Sequence, residues 1–282
     1  MASENKYPIG VFDSGYGGLT VLKEIVKALP EYDFIYLGDN ARAPYGNRSF
    51  ETVYEFTLAC VKQLFLMECR LVILACNTAS AKALRTIQQN DLPGIDPLRR
   101  VLGVIRPTTE MVGQITQTNH VGIFATTGTV ASQSYVIEIE KFFPNVKVFQ
   151  EACQMWVPLV ENNEFDHPGA DYFVKKHIDN ILNQSKQIDT IVLGCTHYPL
   201  LINKIKKYLP PHIQLIQQGK IVAEGLQNYL YRHPEIENMC SRNSTMKFFT
   251  TDVTEIFDRH AAIFFGKDVT SDFVDSDVIF KN

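Results

Sequence analysis

The sequence predicts an α/β fold of two pseudo-symmetric lobes with mostly parallel sheets and a functional site in the cleft between the lobes. The chain has 282 residues, 45% of them apolar, which suffices for two domains of about 100 to 150 residues each. Apolar runs rich in β-branched residues alternate with helical patterns, which is typical of parallel sheets. Two sequence features also recur at similar offsets, which indicates a duplicated lobe.

The repeat consists of a strand-end turn and a strand-end cysteine, each present twice. The segment that begins at Val121 (VGIFATTGT) matches the one that begins at Ile9 (IGVFDSG) at an offset of 112 residues. Cys195 follows Cys76 at an offset of 119 residues, and each cysteine ends an apolar run. The similar offsets favour two equivalent lobes, and chance similarity between hydrophobic strands is the alternative explanation.

The first lobe begins with alternating strand and helix patterns. Strands are predicted at 9–12 and 34–37 and in the apolar run that ends at Cys76, and helices at 19–29, 50–68 and 79–89. A glycine-rich turn at 13–18 and a loop at 38–47 follow the first two strands. Binding residues are expected in these turns, because loops at strand ends usually carry them.

The second lobe is expected to begin after a Pro/Gly-rich segment at 90–97, which is interpreted as a linker or surface loop. It contains the predicted strands at 121–124 and 191–194. A strand at 214–217, an amphipathic run that ends near Tyr231 and an apolar run at 247–250 are expected to complete the first lobe. The predicted lobes are therefore 1–98 plus 212–282, with Asp13, Tyr45 and Cys76, and 99–211, with Thr126, Cys195 and His197.

Composition and charge exclude several classes of function. The net charge is −4, from 27 basic and 31 acidic side chains, and no Lys/Arg run resembles a nucleic-acid-binding patch. The N-terminal sequence shows no signal-peptide pattern, and no stretch reaches the ~18 apolar residues of a membrane span. We therefore expect a cytoplasmic protein that acts on a small molecule, with neither nucleic acid nor membrane as its primary partner.

The six cysteines are expected to be free and mostly buried thiols, because the chain lacks CxxC pairs and a secretory context. Cys76 and Cys195 stand at strand ends before helical sequence, where a helix dipole lowers a thiol pKa from ~8.5. Two such thiols predict two acid/base groups on opposite faces of one carbon. Inert packing is the alternative for each single cysteine. Thr78 and Thr196 are expected to cap the following helices or to bind an anion.

Three further side chains are candidates for assisting the thiols. Asp13 follows a strand in a glycine-rich turn, where it assists a base, orients a substrate ammonium group or caps the next helix. His197 lies two residues after Cys195 and is placed to poise that thiol by charge or hydrogen bonding. Glu161 ends an apolar run and is either a carboxylate partner in the cleft or a solvated residue at a helix end.

Four motifs, taken in order, resemble those of the glutamate racemases in the aspartate/glutamate racemase superfamily. They are DSGxGG from Asp13, APYG from Ala43, ACNTAS from Ala75 and GCTHYP from Gly194. The resemblance spans nearly the whole chain. It implies two flavodoxin-like lobes and a cofactor-independent racemase, without metal or pyridoxal phosphate, that interconverts L- and D-glutamate. It also implies a homodimer whose D-glutamate enters peptidoglycan synthesis.

The same resemblance implies roles for particular residues. Cys76 and Cys195 match the two bases, Asp13 and His197 match residues that assist them, and Glu161 is a further catalytic candidate. The positions that match substrate-binding residues are Asp13, Ser14, Tyr45, Gly46, Asn77, Thr78, Thr126, Thr129, Thr196 and His197. Two places depart from the family pattern. Gln154 stands where proline is expected, and Gln217-Gln218-Gly219 replaces a more acidic or smaller turn.

Three other functions remain open from the sequence. An aspartate- or hydantoin-type substrate is the nearest alternative within racemases. A cysteine hydrolase that uses Cys195 and His197 would leave Cys76 without a role. A non-catalytic α/β binding protein would tolerate serine at both Cys76 and Cys195.

Overall fold

The structure, a computed structural model, describes residues 6–276. Residues 1–5 and 277–282, which the sequence prediction assigned to the first lobe, lie outside the described residues. Within residues 6–276, ten strands form two sheets in which every neighbouring pair is parallel. In chain order the strands are β1 (Ile9–Asp13), β2 (Phe34–Gly38), β3 (Leu71–Leu74), β4 (Arg100–Gly103), β5 (His120–Ala125), β6 (Lys147–Ala152), β7 (Thr190–Gly194), β8 (Gln214–Ile216), β9 (Met246–Thr250) and β10 (Ser271–Phe273).

Four adjacent strands of the first sheet have the same order as the four strands of the second sheet. The first sheet is ordered β10-β9-β2-β1-β3-β4 and the second is ordered β6-β5-β7-β8. β5 therefore takes the place of β1, and β7 takes the place of β3. The common order is flavodoxin-like, which confirms the predicted α/β class and the duplication inferred from the sequence repeat.

Helices separate the strands along both lobes. In chain order they are α1 (Leu19–Ala28), α2 (Phe50–Leu66), α3 (Asn77–Lys82), α4 (Leu84–Thr86), α5 (Leu92–Ile95), α6 (Ile105–Ile115), α7 (Thr127–Ala131), α8 (Ser134–Phe142), α9 (Trp156–Glu161), α10 (Pro168–Gln184), α11 (Ile202–Tyr208), α12 (Gln218–Arg232), α13 (Pro234–Glu237) and α14 (Thr254–Phe265), with 3-10 turns at Asn40–Arg42 and Tyr198–Leu201 and a π-helical turn at Ile87–Asp91.

The central strands of the first sheet, β1, β2 and β3, are buried on both faces. In β3, Leu71 and Ile73 pack into a core that includes residues of α1, whereas Val72 and Leu74 pack into another core with residues of α2. Alternate side chains of a strand point to opposite faces, so a sheet covered by helices on both sides needs an apolar residue at every position. This requirement explains the continuous apolar runs from which the strands were predicted.

Both predicted lobe boundaries are wrong by one strand. β4 pairs with β3, so the chain is still in the first sheet after the segment at 90–97. β8 pairs with β7 and belongs to the second sheet, not to the first. The return of residues 247–250 to the first sheet is confirmed by the pairing of β9 with β2. A short apolar strand carries no signal for which sheet it joins, because both sheets bury the same kind of side chain.

Two helices carry the chain between the lobes. α6 follows β4 and leads into the second lobe, and α12 follows β8 and leads back. These helices pack against each other, and α12 also packs on α1. The predicted single helix at 79–89 and linker at 90–97 are instead a series of short helical segments within the first lobe. The two crossing helices therefore lie side by side.

Candidate active site

Two cysteines, one from each lobe, face a single cleft. Cys76 follows β3 and Cys195 follows β7, and these strands occupy equivalent places in the two sheets. The cleft is lined by residues of both lobes, and most of its lining lies at the carboxyl ends of strands or in the loops that follow them. Each cysteine is only 6% exposed. The carboxyl ends of parallel strands are where α/β proteins place ligands, so this cleft is the candidate active site.

Most residues that the sequence proposed for the site line this cleft. They are Ser14, Tyr45, Gly46, Cys76, Asn77, Thr78, Thr126, Glu161, Cys195, Thr196 and His197. Asp13 and Thr129 do not line it and are fully buried behind it. The sequence prediction missed Pro44, Asn47, Thr127, Cys153, Gln154, Val157 and Pro158. Thr127 and Gln154 come shortly after β5 and β6, so position at a strand end was the available signal for them.

The Cys76 thiol is held between a helix N-terminus and a serine. Its sulfur accepts a hydrogen bond from the backbone N–H of Ala79 at 3.4 Å, as the N-cap of α3, and lies 3.5 Å from the Ser14 hydroxyl. Burial, together with the nearby Asp13 carboxylate, nevertheless raises the pKa of Cys76 to about 12. The expectation that this pKa lies below its ordinary value is wrong. The Ala79 N–H at the start of α3 lowers it, but the loss of water around the sulfur has the larger effect.

The Cys195 thiol is the first member of a line of three polar side chains. The Nδ1 atom of His197 lies 3.9 Å from its sulfur, and the Nε2 atom of His197 lies 3.0 Å from a carboxylate oxygen of Glu161. Burial acts to lower the pKa of His197, but the hydrogen bonds with Cys195 and Glu161 outweigh it and raise that pKa to about 10. His197 is therefore an imidazolium at neutral pH, placed between a thiol and a carboxylate.

Asp13 lies behind the cleft, where it contacts residues of both lobes. Its carboxylate accepts the backbone N–H of Gly15 at 2.9 Å, and the Thr196 hydroxyl lies 3.5 Å from its other oxygen. Burial raises the pKa of Asp13, whereas the charge of His197 and backbone N–H groups lower it. Gly18, the N-cap of α1, has no side-chain cap, and the Asp13 carboxylate bonds to its own turn and to the second lobe.

A cluster of threonines joins the two lobes at the cleft. The hydroxyls of Thr78 and Thr126 lie 3.0 Å apart, and that of Thr129 lies 3.1 Å from Thr126 and 3.4 Å from Thr78. Nearby, the backbone N–H of Gly128 donates to the carbonyl of Gly46 at 2.7 Å. Thr126 and not Thr78 acts as a helix cap, since it accepts the N–H of Thr129 at the start of α7. These contacts hold the lobes together across the site.

The loop that carries Tyr45 is anchored outside the cleft by a buried carboxylate. The Tyr45 hydroxyl donates to Asp39, which also accepts from the Arg42 guanidinium at 2.7 Å and from the Thr251 hydroxyl at 2.9 Å. The Asp39 side chain is fully buried, and that of Arg42 is 11% exposed. Because the phenol is committed to Asp39, Tyr45 presents only its ring and backbone to the cleft. Asp39 therefore determines where the loop lies.

We expect Asp39→Ala to lower the free energy of unfolding by about 3–5 kcal/mol, because it leaves the Arg42 charge buried without its carboxylate. Asp179→Ala is the matched control, since it removes an exposed pair with Lys175 whose contribution is below about 1 kcal/mol. Urea unfolding of both variants measures the difference. A loss at Asp39 no larger than that at Asp179 would show that the buried anchor does not stabilise the loop.

A glycine beside the site leaves room for two site residues. A Cβ atom at Gly17 would lie 2.2 Å from the Thr196 hydroxyl and 2.5 Å from Nδ1 of His197. We expect Gly17→Ala to lower catalytic efficiency roughly tenfold to a hundredfold by displacing both side chains. Gly169→Ala is the control, because a Cβ at that exposed position meets nothing within 4 Å. Equal kcat/KM values for the two variants would contradict this prediction.

Residues 6–276 contain neither a metal-binding cluster nor a membrane-spanning helix. No group of three or more His, Cys, Asp or Glu side chains there is arranged to hold a metal ion. None of the helices in that range is both long and apolar enough to cross a membrane. All six cysteines are buried and unpaired, as expected from the sequence.

The duplicated parallel fold, with a thiol from each lobe in one cleft, defines a two-lobed α/β enzyme of the racemase class. Residues 9–225 match the model of the Asp/Glu/Hydantoin racemase family. The chain is 39% identical to a glutamate racemase of Persephonella marina over 262 residues. The aligned region covers 93% of this chain and 94% of that one. It therefore belongs to the Asp/Glu/Hydantoin racemase family.

Solved structures agree with this assignment. A glutamate racemase isoform from Bacillus anthracis is similar with a TM-score of 0.87 and 34% identity, over 96% of this chain and 98% of that one. A glutamate racemase from Francisella tularensis, crystallised in complex with D-glutamate, is similar with a TM-score of 0.86 and 32% identity, over 97% and 99% of the two chains. Fold and sequence therefore agree over nearly the whole length of these proteins.

Proposed function

We propose that this chain interconverts L- and D-glutamate by exchanging the proton at Cα between opposite faces. The observation that carries the proposal is the presence of two thiols, Cys76 from the first lobe and Cys195 from the second, in one cleft. Inversion needs one group that removes the proton from one face and another that delivers a proton to the other face. Similarity to glutamate racemases over nearly the whole chain supports glutamate as the substrate.

The two thiols have different charged surroundings. The pKa of Cys76, about 12, makes it a neutral thiol at pH 7 and therefore a proton donor. The imidazolium of His197 lies beside Cys195 and stabilises negative charge on its sulfur. We therefore propose that Cys195, as the thiolate, is the base in one direction of the reaction and that Cys76, as the thiol, is the acid.

In this mechanism the protons and electrons balance without a cofactor. The Cys195 thiolate takes the α-proton and becomes a thiol, while the electron pair of the broken C–H bond remains on the α-carbon. The Cys76 thiol then gives its proton to the opposite face of that carbon and becomes a thiolate. The reverse reaction begins from this exchanged state. Asp13 near Cys76 and His197 near Cys195 are proposed to assist these transfers, with Glu161 holding His197.

Neutral donors are proposed to hold the substrate. The described residues that line the cleft include neither lysine nor arginine, and the His197 imidazolium there lies between Cys195 and Glu161. The carboxylates of glutamate are therefore expected to accept hydrogen bonds from hydroxyl, amide and backbone N–H groups, which also stabilise charge that develops at Cα. The proposed donors are Ser14, Tyr45 and Gly46 through their backbone, Asn77, Thr78, Thr126 and Thr196, with Thr129 positioning Thr126.

A cysteine hydrolase is the second candidate, and one specific observation favours it. The line from Cys195 through His197 to Glu161 places a thiol, a histidine and an orienting carboxylate within reach of one another. This function would leave Cys76 in the same cleft without a role. Trapping of an acyl group on Cys195 would support hydrolysis over racemisation.

The proposed setting in the cell follows from the kind of reaction. D-glutamate is a component of peptidoglycan precursors, so the product would feed cell-wall synthesis. We propose that the enzyme acts in the cytoplasm as a homodimer, as the resemblance of its four sequence motifs to those of glutamate racemases implies.

Racemisation in deuterated water tests the proposal directly. L-glutamate should be converted to D-glutamate that carries deuterium at Cα, while L-glutamate recovered early in the reaction should keep its hydrogen, as two separate bases require. L-aspartate in a parallel reaction should turn over far more slowly. Faster turnover of aspartate would reassign the substrate, and early deuterium in the recovered L-glutamate would indicate a single base.

A further inference from the structure

Three buried side chains form a closed ring of hydrogen bonds behind the cleft. The Tyr135 hydroxyl donates to Oδ1 of Asn77 at 2.7 Å, and Nδ2 of Asn77 donates to Oε1 of Gln218 at 2.8 Å. Nε2 of Gln218 donates back to the Tyr135 oxygen at 2.8 Å. All three residues are at most 4% exposed, and Asn77 also lines the cleft beside Cys76. Each member of the ring therefore donates to the next.

The direction of this ring is set by a backbone carbonyl outside it. Nε2 of Gln218 also points to the carbonyl oxygen of Val104 at 3.3 Å and to the Thr108 hydroxyl at 3.0 Å. A backbone carbonyl only accepts hydrogen bonds, and the Thr108 hydroxyl itself donates to the same carbonyl at 3.1 Å. The NH₂ side of the Gln218 amide must therefore face Val104. Its oxygen must face Asn77.

The orientation of the Gln218 amide also fixes that of Asn77, which lines the cleft. Because Oε1 of Gln218 faces Asn77, the Asn77 amide must turn its nitrogen to Gln218 and its oxygen to Tyr135. A flipped Asn77 amide would place Oδ1 against Oε1 of Gln218, and both of these oxygens are acceptors. The second hydrogen on Nδ2 of Asn77 is not used in the ring. A carboxylate oxygen in the cleft is the kind of group that accepts such a donor.

We infer that Gln218 is a positioning residue that, with Tyr135, sets the orientation of the Asn77 amide for binding the carboxylate of the substrate. The inference rests on the proposed function for the identity of that substrate. The ring draws on α3 in the first lobe, α8 in the second lobe and the start of the returning helix α12. The orientation of Asn77 thus depends on all three elements at the point where the lobes meet.

The chemistry of position 218 explains why an amide is needed there. Gln218 is the first residue of α12, in the segment where the family resemblance predicts a more acidic or smaller turn. An ionised carboxylate at position 218 would place an oxygen acceptor against the Val104 carbonyl oxygen, which is also an acceptor. A small side chain at this position would not reach from α12 to Asn77. Glutamine supplies both a donor for Val104 and an acceptor for Asn77.

Kinetics of Gln218→Met tests the inference, since methionine has a similar length but makes none of these hydrogen bonds. We expect KM for glutamate to rise roughly tenfold and kcat to fall less than about threefold, because the lost orientation affects binding. Gln217→Met is the matched control, as Gln217 is the same residue type one position earlier and is exposed. Its KM should stay within about twofold of the original value. Tyr135→Phe, which removes one hydroxyl from the ring, should also raise KM.

A double variant and a spectroscopic measurement separate positioning from general destabilisation. If Gln218 acts through Asn77, then Gln218→Met should cause no further rise in KM when it is added to Asn77→Ala. The side-chain NH₂ signals of Asn77, followed by NMR in the unliganded protein, should exchange faster with solvent in Gln218→Met than in Gln217→Met. Should Gln218→Met fail to fold, Tyr135→Phe replaces it in both measurements.

An unchanged KM in folded Gln218→Met, an undiminished effect in the Asn77→Ala background, or unchanged exchange of the Asn77 signals would each overturn the inference. Failure of the proposed function looks different. The original protein would then racemise neither enantiomer of glutamate, while the NMR measurement would still decide whether Gln218 orients Asn77.

Discussion

Serine at either Cys76 or Cys195 should lower kcat for glutamate racemisation about 10³-fold, because each variant removes one of the two groups that transfer protons. Serine is close to cysteine in size, so the fold is retained, but its hydroxyl is a much weaker acid than a thiol. Both rates are measured from the change in optical rotation, starting from each enantiomer. The loss should appear in both directions, since inversion uses both faces of the α-carbon.

Cys153 provides an unusually close control for these variants. It lines the same cleft, but its thiol donates to the backbone carbonyl of Glu151 at 3.7 Å. It also follows β6, and not one of the equivalent strands β3 and β7 that precede Cys76 and Cys195. Cys153→Ser should therefore keep kcat within about threefold of the original value. Cys240→Ser tests a buried cysteine whose sulfur donates to the Ile236 carbonyl, and its kcat should also be retained.

The pattern of losses discriminates between the candidate functions. Loss in Cys76→Ser and Cys195→Ser alone fits the two-thiol mechanism. Loss in Cys195→Ser with full activity in Cys76→Ser would favour nucleophilic catalysis by the Cys195, His197 and Glu161 line. Retention of more than about a tenth of kcat by either variant would exclude the proposed roles of the thiols.

The location of the thiols was predictable from the sequence for a simple geometric reason. Cys76 and Cys195 each end an apolar run, and parallel strands place such residues at one edge of a sheet. The repeat along the chain then indicated that the two edges are equivalent, and the shared strand order confirmed it. Local sequence was sufficient here because each motif contains both the strand and the residue that follows it.

Features that depend on distant residues were not predictable in this way. Asn77 and Gln218 are 141 residues apart, and their hydrogen bond exists only because α12 returns to the first lobe at that point. The sheet membership of β4 and β8 depends on the same crossings. The effect of burial on Cys76 was also missed, since a position at a strand end does not reveal how completely the surrounding helices exclude water.

His197→Gln should lower kcat roughly 10²-fold, because glutamine keeps a polar side chain next to Cys195 but carries no positive charge. The charge of His197 stabilises a thiolate at Cys195 only while the imidazole is protonated, and its pKa of about 10 maintains that state at neutral pH. The kcat of the original protein should therefore fall as the pH rises towards 10. His212→Gln, at an exposed position, is the control and should keep both kcat and its pH dependence.

The same ionisation predicts how stability changes with pH. The pKa of His197 is about 10 in the fold and ~6.5 in an unfolded chain, so between these values the folded state holds a proton that the unfolded state has released. Its contribution to stability is complete below about pH 6.5 and is lost as the pH rises through 10. Urea unfolding at pH 6 and pH 9.5 should therefore show a larger loss in the original protein than in His197→Gln. Equal losses would mean that the Glu161 and Cys195 contacts do not hold His197 protonated.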